Sequence, residues 1–176
     1  PGLQFHVANA KIATVTAHGI AFNADTADAN ALDDYEEGTW TPTIVGQTGA
    51  SGQVYGTQEG KYIKIGTQVT AVCYVTLTTK GTLSGNYLAV SGLPVASTQQ
   101  GSASTARVEQ VKVSSGWIGP DFQIGGGQTQ VMAMEHQASG VAAVSHRACG
   151  NEYGSPGDGI TDTTSLTISI TYVTTA

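Results

Sequence analysis

The sequence predicts an all-β protein, an antiparallel β-sandwich head of jelly-roll type on a short β-rich neck. Three observations predict it. Apolar residues recur at every second position in short runs, the period of a strand with one face on a core. Glycine contributes 23 of the 176 residues and β-branched residues are abundant, a composition that opposes long helices. Gly-rich turn signals fall between the runs at spacings that suit short antiparallel strands.

The elements follow in chain order. Leu3, Phe5 and Val7, then residues 12–15, then Ile20 with Phe22, are strand-like fragments too short to close a core of their own. The one credible helical turn lies within 26–34. Alternation resumes at 62–65 and is clearest at Val69, Ala71, Cys73, Val75 and Leu77. Further strands are expected at 87–90, 107–113 and 130–134, and Leu166, Ile168, Ile170 and Tyr172 mark the last. Turns are expected at 46–52, 80–81, 92–94, 125–127 and 153–159. Residues 1–38 accordingly read as a neck and 39–176 as the sandwich head. A small isolated sheet is marginal in water, so the neck is expected to be stable when three chains wrap it around a common axis, each burying the others' apolar edges.

At the join, Asp33, Asp34, Glu36 and Glu37 gather negative charge. Its simplest account is a solvated hinge; a cation site shared between chains is the sharper alternative. Beside Tyr35, Gly38 permits a sharp change of direction and Pro42 restricts Thr41 to extended backbone. Trp40 offers a large apolar surface with one N–H to satisfy. Together these residues are expected to form a rigid corner that seats the head on the neck.

Composition excludes several classes of function. A chain of 18.0 kDa exposes roughly 8,000 Å² when folded against roughly 26,000 Å² when extended, so a core forms without cross-links. Only 11% of residues are charged, less than half the usual ~25%. The polar surface is written in Thr, Ser, Gln and Asn, which suits packing against further copies. Net charge is −6, and the seven basic residues are scattered from Lys11 to Arg147, so no stripe exists to neutralise phosphates and nucleic acid is not an expected partner. No apolar run approaches the ~20 residues of a spanning helix, and membrane insertion is not expected. The sequence opens at Pro1 rather than Met, as a processed or partial product does. Cys73 and Cys149 read as buried thiols, with one disulfide as the alternative.

Residue patterns for chemistry are sparse. His6, His18, His136 and His146 form no close metal-ligand pair, and neither HExxH nor CxxC spacing occurs. Around a threefold axis a single histidine becomes three, which makes His6 and His18 axial metal candidates; surface or packed histidine is the simpler account. GxSxG is absent, and residues 124–128 are a turn rather than a phosphate loop. No cofactor is expected. Two segments place aromatic faces beside carboxylates: Trp117, Asp121 and Phe122 in one loop-like stretch, and Glu152, Tyr153 and Asp158 in another. That combination serves a saccharide, the ring stacking on C–H groups and the polar groups taking hydroxyls. A folded loop with its own small core, or an intersubunit contact, uses the same residues. Glycan cleavage is the rival reading and needs two carboxylates about 5–10 Å apart.

A resemblance enters at the junction. The run Leu32-Asp33-Asp34-Tyr35-Glu36-Glu37-Gly38-Thr39-Trp40-Thr41-Pro42-Thr43 resembles a segment recurring in bacteriophage tail-fibre and related virion proteins, where it follows a fibre stalk and opens the C-terminal domain. Gly60-Lys61-Tyr62-Ile63-Lys64-Ile65-Gly66 and the following strand, residues 88–94, the lead-in at 19–25 and the terminal strand are similar to the same pattern. The likeness covers about residues 19–95 and the last strand; residues 96–160 match no part of it. The resemblance implies a virion protein, the distal part of a trimeric tail fibre that binds other virion proteins and attaches the particle to a bacterial surface saccharide, without enzymatic activity. A capsid-decoration or purely structural part, and a glycan depolymerase or esterase, are the alternative expectations.

Overall fold

A computed structural model describes residues 2–23, 25, 27, 31–32, 34–85, 87–102, 105–112, 117–137, 146–148 and 159–175. Among these the chain forms sixteen strands and no helix. Strands β1 (Leu3–Val7), β2 (Ala10–Thr16) and β3 (Gly19–Phe22) make a three-stranded antiparallel meander. Ala8 and Asn9 at the first turn have φ of 47° and 66°, the left-handed pair that lets a two-residue hairpin follow strand twist. The expected helical turn lies largely outside the described residues; Leu32 within it forms an isolated antiparallel bridge to Ile20.

The remaining strands form two antiparallel sheets. β4 (Tyr35–Trp40), β7 (Val54–Ile65), β8 (Gln68–Thr79), β12 (Thr105–Val111) and β16 (Ile160–Val173) make a five-stranded sheet in the order β12-β16-β8-β7-β4. β5 (Thr43–Gly46), β6 (Gly49–Ser51), β9 (Thr82–Ser84), β10 (Leu88–Ser91), β11 (Gly101–Ser102), β13 (Trp117–Ile124) and β14 (Gln130–Gln137) run in the order β11-β13-β14-β10-β5-β6-β9, with β15 (His146–Ala148) also on β14. Alternation places Val69, Ala71, Cys73, Val75 and Leu77 of β8 and Leu166, Ile168, Ile170 and Tyr172 of β16 on one inner face. Ile44, Leu88, Val90, Phe122, Ile124 and Val131 of the other sheet complete the same core, the arrangement of a β-sandwich. Burial pushes the Cys73 thiol up to about 11, so it is an inert packing group; Cys149 lies outside the described residues.

The expected strands appear where the two-residue period is strong. Residues 107–113 correspond to β12, which starts two residues earlier and ends at Val111. The expected turn at 46–52 contains the short strand β6. The junction needs a larger correction. Gly38 makes no sharp turn; it lies mid-strand in β4, directly opposite Tyr62 of β7, while the chain crosses between sheets at Thr41 and Pro42. The division at residue 38 therefore falls inside β4. Two triplets of the form Gly-x-aromatic, Gly38-Thr39-Trp40 and Gly60-Lys61-Tyr62, meet in antiparallel register, so each glycine is covered by the other's ring. A Cβ on Gly38 would lie 2.7 Å from the Tyr62 ring, and one on Gly60 would lie 2.7 Å from the Trp40 indole. Trp40 is buried, and its indole N–H is shared between the carbonyls of Lys61 (3.3 Å) and Val72 (3.2 Å). The glycines are present because the aromatics occupy their side-chain space.

Within the acidic run, Asp34 and Glu36 are tied to β7. Asp34 pairs with the buried Lys64, Glu36 accepts from the Tyr62 hydroxyl, and Glu37 accepts from the Tyr35 hydroxyl. The hydrogen bonds to Glu37 and Glu36 are the first cause holding the Tyr35 and Tyr62 phenols above their ordinary pKa. Asp33 lies outside the described residues. Because the Lys64 ammonium is buried and Asp34 is partly open to solvent, the two ends of this pair differ. Asp34→Asn is expected to cost about 2 kcal/mol by orphaning a buried charge, whereas Lys64→Met is expected to be nearly neutral. Urea unfolding of the two variants measures the contrast.

Candidate interaction faces

The residues expected to hold a saccharide divide on inspection. The stretch around Trp117 is strand β13 rather than a loop, paired with β14 from Trp117 opposite Gln137 to Ile124 opposite Val131. A register shift between Ile118 and Asp121 takes up Gly119 and Pro120. Phe122 is 2% exposed within the core, opposite Ala133, so its ring offers no surface to a ligand. Asp121, the preceding position on the same strand, is on the solvent side. Only the strand position of Trp117 is described. Glu152, Tyr153 and Asp158 lie outside the described residues.

The two strongest candidate surfaces are sheet faces. In the meander, Leu3, Val15 and Ile20 form one cross-strand row and Phe5, Ala13 and Phe22 the next, all on one face. That face is open: Leu3 is 66%, Phe5 48% and Phe22 53% exposed. On the opposite face Thr14 and Ala21 are buried, and Ala27 and Ala31 line the same small cavity as they do. So the chain covers one side of this small sheet and leaves the more apolar side to solvent. His6 is exposed with Nε2 3.3 Å from Gln4 Oε1, and His18 lies in the β2–β3 turn, where its amide donates to Thr16 Oγ1.

The second surface is the outer face of the five-stranded sheet. Register places Tyr35, Ile65 and Val173 in one part of it, Ile63 beside Thr70 and Thr171 in the next row, then Thr39, Lys61 and Val72, then Glu59, Tyr74 and Thr167. Tyr35, Ile63, Ile65, Val72, Tyr74 and Val173 are all exposed. A groove of about 450 Å³ runs over Glu37, Thr39, Lys61, Ile63, Thr70 and Val72. A smaller hollow of about 210 Å³ shares Lys61 and Val72 and reaches Tyr74 and Thr167. Thr70 and Thr171 share a hydroxyl hydrogen bond at 3.0 Å across the sheet.

No family model, no curated protein and no solved structure matches the chain. Among the described residues no group of three His, Cys, Asp or Glu side chains could hold a metal ion, and no helix is long and apolar enough to cross a membrane. Sequence reasoning missed the outer face, although its signal was present. In Val69-Thr70-Ala71-Val72-Cys73-Tyr74-Val75 apolar residues occupy both parities, and a strand with one solvated face needs polar residues at alternate positions.

Proposed function

We propose that the chain is the distal part of a trimeric bacteriophage tail fibre, a jelly-roll-like head on a threefold neck that attaches the virion to a saccharide of the bacterial surface. The open apolar face of the β1–β3 meander carries this reading. Leu3, Phe5, Val15, Ile20 and Phe22 line one side of a three-stranded sheet, a unit too small to be stable alone in water. Three such sheets set around an axis remove those side chains from water and leave the alanine-covered side facing outward. The scarcity of charge and the threonine-rich surface support the same reading, as does the junction's likeness to fibre proteins. Its Gly38/Tyr62 and Trp40/Gly60 pairs give that motif a physical task, welding the first head strand to β7 directly after the neck.

Attachment works by avidity. A single sugar site is weak, but three on one tip, and several tips on one particle, raise the effective concentration steeply. Trp117 and Tyr153 are assigned to ring stacking, and Asp121, Glu152 and Asp158 to sugar hydroxyls. Phe122 is removed from the set because it fills the core. The role is binding without turnover and needs no cofactor. Other virion proteins join on the neck side, and the protein resides in the virion.

Binding of the purified chain to bacterial cells of the host tests this function. Trp117→Ala and Tyr153→Ala are each expected to lower attachment at least tenfold while the far-UV circular dichroism is unchanged. Attachment by both variants equal to that of the original chain removes the assigned site. Release of sugar from purified surface polysaccharide contradicts binding without turnover.

A further inference from the structure

We propose that the outer face of the five-stranded head sheet is a contact between adjacent copies of this chain, so that the assembly is held at the head as well as the neck. This contact rests on the trimeric reading above and adds a second interface to it.

Size is the first argument. The nine residue pairs that join β16 to β8, with the nine, six and five positions of β7, β4 and β12 aligned with them, span about 600 Å² at about 4.8 Å between strands and 3.4 Å per residue. A standard protein interface takes roughly 800 Å² from each partner. Tyr35, Ile63, Ile65, Val72, Tyr74 and Val173 stand exposed on this one face. Six large apolar side chains gathered on one face, interrupted by Gln68, Lys61 and the threonines, are more than singly scattered surface residues.

The chemistry of the face selects a second copy over another occupant. Lys61 and Glu59 stand two residues apart on β7, both exposed, and among the described residues neither makes an ion pair or a side-chain hydrogen bond. A surface that carries one unpaired cation beside one unpaired anion is matched in charge by another copy of itself. The other charged groups on the face are tied within the chain, Glu37 to the Tyr35 hydroxyl and Arg107 to Glu109, and among the uncharged polar groups Thr70 and Thr171 bond across the sheet, which makes them inexpensive to bury. The groove is lined by Ile63 and Val72 together with Glu37, Thr39, Lys61, Tyr62 and Thr70, and carbon makes up most of its exposed surface, which suits a partner's apolar side chain better than a sugar's hydroxyls.

Thiol labelling of the full chain tests the contact. Ile63→Cys places the probe at the groove, and Thr48→Cys, in the exposed β5–β6 turn, serves as the reference; Val72→Cys repeats the measurement one strand over. Maleimide incorporation is followed by peptide mass spectrometry, and sedimentation velocity is run on the same samples. The expected result is a trimer in which the thiols introduced in place of Ile63 and Val72 react at least tenfold more slowly than the thiol in place of Thr48. A trimer in which all three react alike overturns the head contact and leaves the neck trimer intact. A monomer overturns both. Protection that appears only after surface polysaccharide is added assigns the face to sugar and also overturns the contact.

Discussion

A chain carrying Phe5→Lys together with Phe22→Lys is expected to sediment as a monomer at concentrations where the original chain is fully assembled. Both rings lie in one cross-strand row of the meander, either side of Ala13, and each is about half exposed in the single chain. Covering the remaining half of a phenylalanine side chain is worth about 1 kcal/mol, so six rings in three chains contribute about 6 kcal/mol to association. That alone is about four decades in the assembly constant. Six ammonium groups brought to a shared axis add desolvation and like-charge repulsion in the same direction. The substituted positions face away from Thr14 and Ala21, so the meander's covered side is untouched. The head core contains neither ring, and its thermal transition is expected to remain. A double variant that assembles as tightly as the original chain would mean that these rings are not at an interface.

Gly60→Ala is expected to destabilise the head by about 3 kcal/mol, a large effect for one added methyl group. The new Cβ would lie 2.6 Å from the backbone oxygen of Trp40 and 2.7 Å from two atoms of its indole. The backbone oxygen cannot move without shifting β4 on β7, and the indole is buried and held by two carbonyls. Gly38→Ala is the informative comparison. The three atoms nearest its Cβ would be outer ring atoms and the hydroxyl of Tyr62, the far end of a side chain that is part-exposed, so a smaller cost of about 1 kcal/mol is expected. Denaturant unfolding of both variants reads the difference directly. Equal costs would mean that the two ring-over-glycine pairs do not differ in rigidity as their geometry requires.

Much of the fold was legible because most of the chain obeys one period. β8 and β16 carry an apolar residue at every second position over nine paired residues, and those inner positions are the core. β4 and β13 were not legible, for a shared reason. Each contains glycine, and a proline lies in or just beyond it, which reads as a turn when only local propensity is consulted. In β13 the ladder absorbs Gly119 and Pro120 through a register shift, while in β4 the glycine is required by a ring from the neighbouring strand. Neither cause is visible in a window of ten residues.

The candidate surfaces were legible in part. Leu3, Phe5 and Val7 announce an apolar strand without a core to enter, and the open face of the meander is the structural form of that signal. Phe122 reads as a ligand residue in sequence because an aromatic ring beside an acid looks the same whether the ring points in or out. The parity of β13 decides it, and that parity depends on pairing with β14. Tyr74, Val72 and Ile63 escape notice in sequence because alternation implies one wet face. On β8 the face turned away from the core carries a valine and a tyrosine.

The most direct test is the solution mass of the intact chain by sedimentation equilibrium at micromolar concentration. A single species of three times the 18.0 kDa chain mass is predicted. A species at the mass of one chain, with its circular dichroism still that of a β protein, would contradict the account at its base, because Leu3, Phe5 and Phe22 would then tolerate water without neighbours.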